Sequence, residues 1–220
     1  SRQPRRARIS NIDFLAKYDY ISVKNLIRQG SIFDQELLYD RFPNELLPFD
    51  YDEYFSHAEG FEMVTTNCLT GYSEYLTETQ DRKRACDIVK ASSSLPFVSK
   101  MVNIDGVPML DGGIIDSIPV MRAIDTGHET NVLILTRNRG YRKIAKDRKI
   151  PRFVYKNYPR LRVALSRRID AYNKQLQLVE DLENAGKIIC IRPQSPMEVE
   201  RIERNVNKLE RLYEEGFEMG

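Results

Sequence analysis

One short run brings together residue types that could do chemistry: Asp111-Gly112-Gly113, directly after the apolar stretch Val107-Pro108-Met109-Leu110. A carboxylate delivered by the end of a buried strand can accept a proton or orient a donor, and open α/β sheets set their sites beyond strand ends. The glycines admit a sharp turn and the close approach of another segment. An Asx turn with ordinary turn glycines fits the same tripeptide. Other constellations are thinner. Cys68, Cys86 and Cys190 form no Cys-x-x-Cys pair, and with only His57 and His128 beside them no zinc site is expected. Asp105, Asp111 and Asp116 could gather a divalent cation, but Asp105 belongs at a hairpin tip, away from Asp111.

Charge offers a second kind of chemistry. Between residues 137 and 168 thirteen basic residues face a single acid, Asp147, with Tyr141, Phe153, Tyr155 and Tyr158 interleaved. Such a stretch reads first as a solvated basic face. The sharper reading is attraction to an anionic membrane surface or phospholipid headgroup, with Arg137, Arg139, Arg142 and Lys143 as contacts. No nucleic-acid-binding signature accompanies the charge, so nucleic acid is not an expected partner.

The elements that must position these residues are legible in outline. The chain has 220 residues, 41% hydrophobic and 30% charged, with 34 basic residues against 32 acidic. That composition suits a globular core and excludes a disordered charged tail, a collagen-like chain and a disulfide scaffold. No apolar run approaches the ~18 residues of a transmembrane helix. Unpaired cysteines point to a reducing compartment, with the cytoplasm as the default.

The basic opening stretch, with Arg2, Arg5, Arg6 and Arg8, reads as a solvated connector. Helices are expected over residues 22–28, 33–42 and 51–57, where a dense set of aromatics suggests a packed cap. Residues 61–66 read as a buried strand with a hairpin mate at 72–76, and Thr79 is placed to cap a helix ending before Leu95-Pro96. Asp105-Gly106 between apolar runs is a strong hairpin signal. A short helix follows Pro119 and ends at Gly127. The continuous apolar run 131–135 reads as a parallel strand covered on both faces. Apolar residues from Leu161 to Val179 recur at helical steps up to Gly186, and 187–191 is a further strand. Ser195-Pro196-Met197-Glu198 resembles a capping box opening a last helix whose inward stripe includes Val199, Ile202, Val206, Leu209 and Tyr213. Helices alternating with strands argue for a layered α/β class.

The stretch KASSSLPFVSKMVNIDGVPMLDGGIIDSIPV, residues 90–120, resembles the patatin-like phospholipases. A Ser/Ala-rich helix end runs into Leu-Pro. An Asp-Gly hairpin, Asp-Gly-Gly and Ile-Pro then follow in the family's order, and residues 135–143 look like a bacterial subgroup. The resemblance implies a layered fold with a mostly parallel central sheet, incomplete here at its N-terminal strands, plus C-terminal helices. It also implies lipid acyl-ester hydrolysis by a Ser-Asp dyad, in which Asp111 with Gly112 and Gly113 is the aspartate motif and a glycine-rich loop holds the oxyanion. No cofactor or metal is implied.

The departure from the family pattern is large. No G-x-S-x-G elbow and no upstream glycine-rich run occur among these residues. Gly71-Tyr72-Ser73-Glu74-Tyr75 lacks the second glycine, and Ser92, Ser93 and Ser94 look like packing residues. The expectation is a C-terminal portion that begins after the elbow, inactive alone, with an exposed sheet edge that favours self-association. Its expected organisation is a connector and helical cap over 1–60, an α/β core over 61–143, and a basic segment with two helices and a strand over 144–220. Phospholipid or another acyl ester is the expected substrate, with cytoplasmic location and peripheral membrane contact. The competing reading is a non-catalytic α/β interaction module that sets its basic face on anionic lipid or a partner.

Overall fold

The computed structural model describes residues 5–144, 150–199 and 203–220. They fall into two units, one from the described residues of Ser1–Asp116 and Arg148–Arg168, the other from those of Ser117–Asp147 and Ile169–Gly220.

The first unit opens with the short helix α1 (Arg6–Arg8), a π-helical turn at Ile9–Asp13 and α2 (Phe14–Lys17). The basic stretch is therefore not a free connector from Arg6 onward. Arg6 donates to the Pro48 carbonyl at 2.9 Å and lies over the Phe49 ring, and Arg8 pairs with Asp13; Arg2 lies outside the described residues. Ser22 caps α3 (Val23–Gln29) by accepting the Asn25 N–H. The helix expected over 33–42 is displaced into wide π-helical turns at Leu37–Leu46. Pro43 sits inside them with no N–H to give to an α-helical ladder, and the segment closes with Leu47 N–H on the Phe42 carbonyl, five residues back. After α4 (Tyr51–Phe55), capped by Asp50, the aromatics have formed a packed cap in which Phe42 meets Phe14 at 4.6 Å and Tyr20 edge-on.

Four strands follow: β1 (Met63–Asn67) and β2 (Ser73–Leu76), then, after α5 (Arg82–Ser92), β3 (Val102–Ile104) and β4 (Val107–Asp111). Their order is β2-β1-β4-β3 and every pairing is antiparallel. Short connections dictate this for the β1–β2 and β3–β4 hairpins, because a turn of a few residues cannot return a strand in parallel. Asp105 and Gly106, at φ +52° and +85°, supply the two left-handed residues of the β3–β4 turn. Ile88 and Ala91 of α5 cover one face of the sheet, packed with Met63, Ile104 and Met109.

Thr79 does not cap α5. Glu78 takes the N–H groups of Thr79, Gln80 and Asp81 at 2.8, 2.8 and 2.9 Å, which keeps those residues out of the helix, and Asp81 caps instead. The other oxygen of Glu78 binds Arg84 at 2.7 Å, and Arg84 reaches Asp105 at 2.7 Å, fastening the helix start to the hairpin tip. The bond from Asp81 N–H, with the Arg84, Gln80 and Thr79 donors, holds the Glu78 carboxyl down at about 2.

The strand end of β4 runs into a tight 3-10 turn, Gly112–Ile114. A Cβ on Gly112 would stand 2.4 Å from the Val64 carbonyl oxygen of β1, so the two backbones touch where any side chain would intrude. Behind this turn Leu110 and Ile114 pack with Cys68, Leu161 and Ala164.

The second unit contains α6 (Val120–Asp125), β5 (Asn131–Ile134), the continuation of α7 (Pro159–Asn184), β6 (Ile188–Ile191) and α8 (Val206–Met219). β5 and β6 pair in parallel. The mixed α/β class holds, with parallel pairing confined to these two strands among the described residues. Val120, Val179 and Ile188 form the local core with Leu133 and Cys190. β5 is packed on that face alone: Val132, Ile134 and Ile189 on the other face are exposed, Ile134 by 80%. Residues 195–199 are not helical, and α8 begins at Val206 because Asn205 accepts the N–H groups of Asn207 and Lys208. Val199 therefore precedes the helix, and Ile202 lies outside the described residues.

Two stability outcomes follow from these contacts. Gly112→Ala is expected to cost about 1–3 kcal/mol by forcing two backbones apart, whereas Gly60→Ala, with open space around its Cβ, stays within about 0.5 kcal/mol. Urea midpoints measured side by side check this, and equal midpoints would refute it. Glu78→Gln is expected to cost about 2 kcal/mol at pH 7. Because the folded carboxyl titrates below its unfolded value, its stabilisation is full above about pH 4.5 and is lost as pH falls towards 2. The two proteins should therefore converge in midpoint between pH 4.5 and 2, and a constant gap across that range would contradict the assignment.

Candidate active site at the strand-end aspartate

Asp111 is the last residue of β4, opposite Thr65 of β1. Its main chain is fixed from two sides: its N–H donates to the Ser94 carbonyl at 3.0 Å, and Thr66 Oγ1 donates to its carbonyl at 2.9 Å. The side chain folds over the following turn, Oδ1 accepting the Gly113 N–H at 2.6 Å. Oδ2 takes no hydrogen bond among the described residues, so one carboxylate oxygen is oriented and the other is open to a donor. The Asx-turn reading of the tripeptide holds. Gly113 is held in turn by Arg168, whose Nε donates to its carbonyl at 2.9 Å. Nothing in the local sequence around Gly113 points to an arginine 55 residues further on.

Tyr39 is the second residue that the sequence left unassigned. Burial pushes its hydroxyl pKa up. A hydrogen bond with Ser93 opposes that shift and the Asp111 charge adds to it, which puts the phenol in the electrostatic range of the carboxylate. In the sequence it is one aromatic among the many of the cap. Tyr39 also lines a cleft of about 930 Å³ together with Tyr51, Cys86, Lys90, Lys100 and Met101. The Cys86 thiol lies 3.2 Å from the Tyr51 hydroxyl. Cys68, by contrast, is buried in apolar surroundings that push its thiol up to about 12, the behaviour of an inert packing cysteine.

The serines near Asp111 are engaged with the main chain. Ser92, Ser93 and Ser94 donate to the carbonyls of Val64, Val89 and Lys90 at 2.8, 2.8 and 2.7 Å. Ser73 is a strand residue opposite Thr66, and Gly71 before it, at φ +70°, lies against the Arg160 backbone in the β1–β2 turn. The three carboxylates of the cation alternative have separate partners: Asp105 binds Arg84, Asp116 accepts from the Tyr75 hydroxyl at 2.6 Å, and Asp111 holds Gly113. Among the described residues no three Cys, His, Asp or Glu side chains gather around a common point.

The cations singled out beyond Thr136 lie in the second unit and are largely committed to it. Arg142 binds both oxygens of Glu180 at 3.0 and 2.7 Å, and with the Gly140 N–H it holds that carboxyl down at about 2. Arg139 reaches Asn184 and Glu183. Lys143 sits 3.4 Å above the Tyr172 ring and Arg137 5.0 Å above that of Tyr141. No helix among the described residues is long and apolar enough to cross a membrane.

Comparison with known proteins agrees with the family resemblance. Residues 158–220 match a domain of unknown function, DUF6363. The uncharacterized protein YjjU of Escherichia coli K12 is 28% identical over 138 residues, covering 61% of this chain, and the chain spans 38% of that relative's length. Residues 3–124, which hold the aromatic cap, the four-stranded sheet and the Asp111 turn, match the patatin-like phospholipase family model, and the chain belongs to that family.

Proposed function

We propose that this chain supplies the aspartate of a lipid acyl hydrolase whose serine nucleophile and oxyanion loop are contributed from outside these 220 residues. The observation that carries the reading is the Asp111 carboxylate, with Oδ1 pinned by Gly113 N–H at 2.6 Å and Oδ2 left to accept a proton. In the reaction the serine hydroxyl gives its proton to Asp111 as its oxygen forms a bond to the acyl carbon. The alcohol oxygen takes that proton as its bond to the acyl carbon breaks; water then gives a proton to the same carboxylate while bonding to the acyl carbon, and the serine oxygen leaves with that proton as the fatty acid is released. The aspartate is fixed by the main-chain bonds from Thr66 and to Ser94, and Arg168 steadies the turn that orients it. The open face of β5 and β6 and the sheet edges β2 and β3 suit a longer protein, or self-association of this segment. Cytoplasmic location with peripheral membrane contact completes the reading.

Labelling with a fluorophosphonate, read by intact mass, tests it. An adduct is expected on a form extended upstream and none on the 220 residues alone; an adduct at Ser92, Ser93 or Ser94 of the short form would overturn it. In the extended form Asp111→Asn is expected to lower kcat for a fluorogenic acyl ester by about 10²-fold or more with little change in KM. Unchanged turnover in a folded variant removes Asp111 from the chemistry.

A further inference from the structure

Two bulky residues of the first unit are held in the left-handed region, where side chains other than glycine are strained: Phe97 at φ +72° and Tyr155 at φ +51°. They hold each other. The Tyr155 hydroxyl accepts the Phe97 N–H at 2.9 Å, and their rings lie 5.6 Å apart. The strain does not serve burial of Phe97, which is 53% exposed, and Phe153, two residues before Tyr155, is 78% exposed. Tyr72 is 71% exposed in the neighbouring turn, where Gly71 touches the backbone of Arg160. The Tyr155 ring packs on the Leu110–Leu161 cluster, so the strain at Tyr155 accompanies packing, whereas the Phe97 ring that it holds stays half exposed.

The charged residues in the segment that carries Phe153 and Tyr155 have one sign. Arg152, Lys156 and Arg160 are exposed and have no ion-pair partner among the described residues, and residues 150–160 contain no acid. This differs from Arg137, Arg139, Arg142 and Lys143 of the second unit, which are bound to glutamates or rings. Phe97 also lies three residues from Ser94, whose carbonyl receives the Asp111 N–H. Exposed aromatics flanked by free cations are the physical requirements for seating on an anionic bilayer, the rings entering the headgroup boundary and the cations meeting lipid phosphates.

We infer that Phe97 and Phe153, with Arg152, Lys156 and Arg160, form an interfacial docking face that sets the Asp111 end of β4 against an anionic lipid bilayer. The inference rests on the lipid-substrate reading above, but its test does not need turnover. Full-length protein carrying Asp111→Asn is sedimented with vesicles of phosphatidylcholine, with and without phosphatidylglycerol. Binding is expected only with the anionic lipid, and loss of turnover without loss of binding separates this face from the chemistry.

Phe97→Gly with Phe153→Ser should weaken binding at least about tenfold. The glycine also suits φ +72°, so the fold is retained. Arg152→Gln with Lys156→Gln should weaken it several-fold and reduce its sensitivity to salt. Unaltered binding in the aromatic pair, equal binding to neutral vesicles, or loss on Arg137→Gln with Arg139→Gln instead would each overturn the assignment. So would amides of residues 150–158 that are already protected from hydrogen exchange in the full-length protein before lipid is added, because another protein segment would then occupy the face.

Discussion

The arrangement around Asp111 depends on a contact between two backbones. Gly112 lies so close to the Val64 carbonyl of β1 that no Cβ fits between them, and this places the end of β4 against the middle of its neighbour. From that approach follows the path of the turn: Gly113 swings back to give its N–H to Asp111, and Ile114 drops into the apolar cluster with Leu110 and Leu161. A strand end is normally the place where order decays. Here steric contact, the Thr66 and Ser94 bonds and the Arg168 tether make it one of the most constrained points of the first unit.

A second fastening acts from the opposite end of α5. Glu78 and Arg84 turn the loop before the helix into a closed network that also grips Asp105 at the hairpin tip. Both ends of β4 are thus secured, one by charge-assisted hydrogen bonds and the other by close packing. The Glu78–Arg84 pair, with Asp105 exposed at its far end, favours one register of the hairpin, because a slipped hairpin would leave Arg84 and Glu78 without geometry to satisfy them.

Much of this was legible in the residues, and the failures have identifiable causes. The Asp105-Gly106 hairpin, the strand pair at β1 and β2 and the Asp111 motif were readable because each depends on local stereochemistry written in a few adjacent positions. The cap of α5 was misplaced because Thr79 and Asp81 are both good caps, and the choice was made by Glu78 gathering the intervening N–H groups. The helix of the cap was displaced by Pro43. β5 looks like a strand buried on both faces because its residues after Asn131 are all apolar, yet hydrophobicity cannot say whether a covering layer is present. Arg168 reaches the Asp111 turn, and Tyr39 reaches Ser93, through tertiary packing that leaves no periodic trace. The basic run after Thr136 was visible only as total charge, whereas among the described residues some of its cations are locked to Glu180, Glu183, rings or backbone carbonyls and those at 152, 156 and 160 have no ion-pair partner.

The half-covered sheet of the second unit has a dynamic consequence. Two parallel strands of four residues each, packed on one face only, are well below the size at which a sheet sustains itself in water. Their amides must therefore open in fluctuations much smaller than global unfolding, while those of β1 and β4, flanked on both sides within a four-stranded sheet, open only when the first unit does. A single chain would then carry two clocks for solvent exchange, the slow one governing the aspartate turn and the fast one the parallel pair.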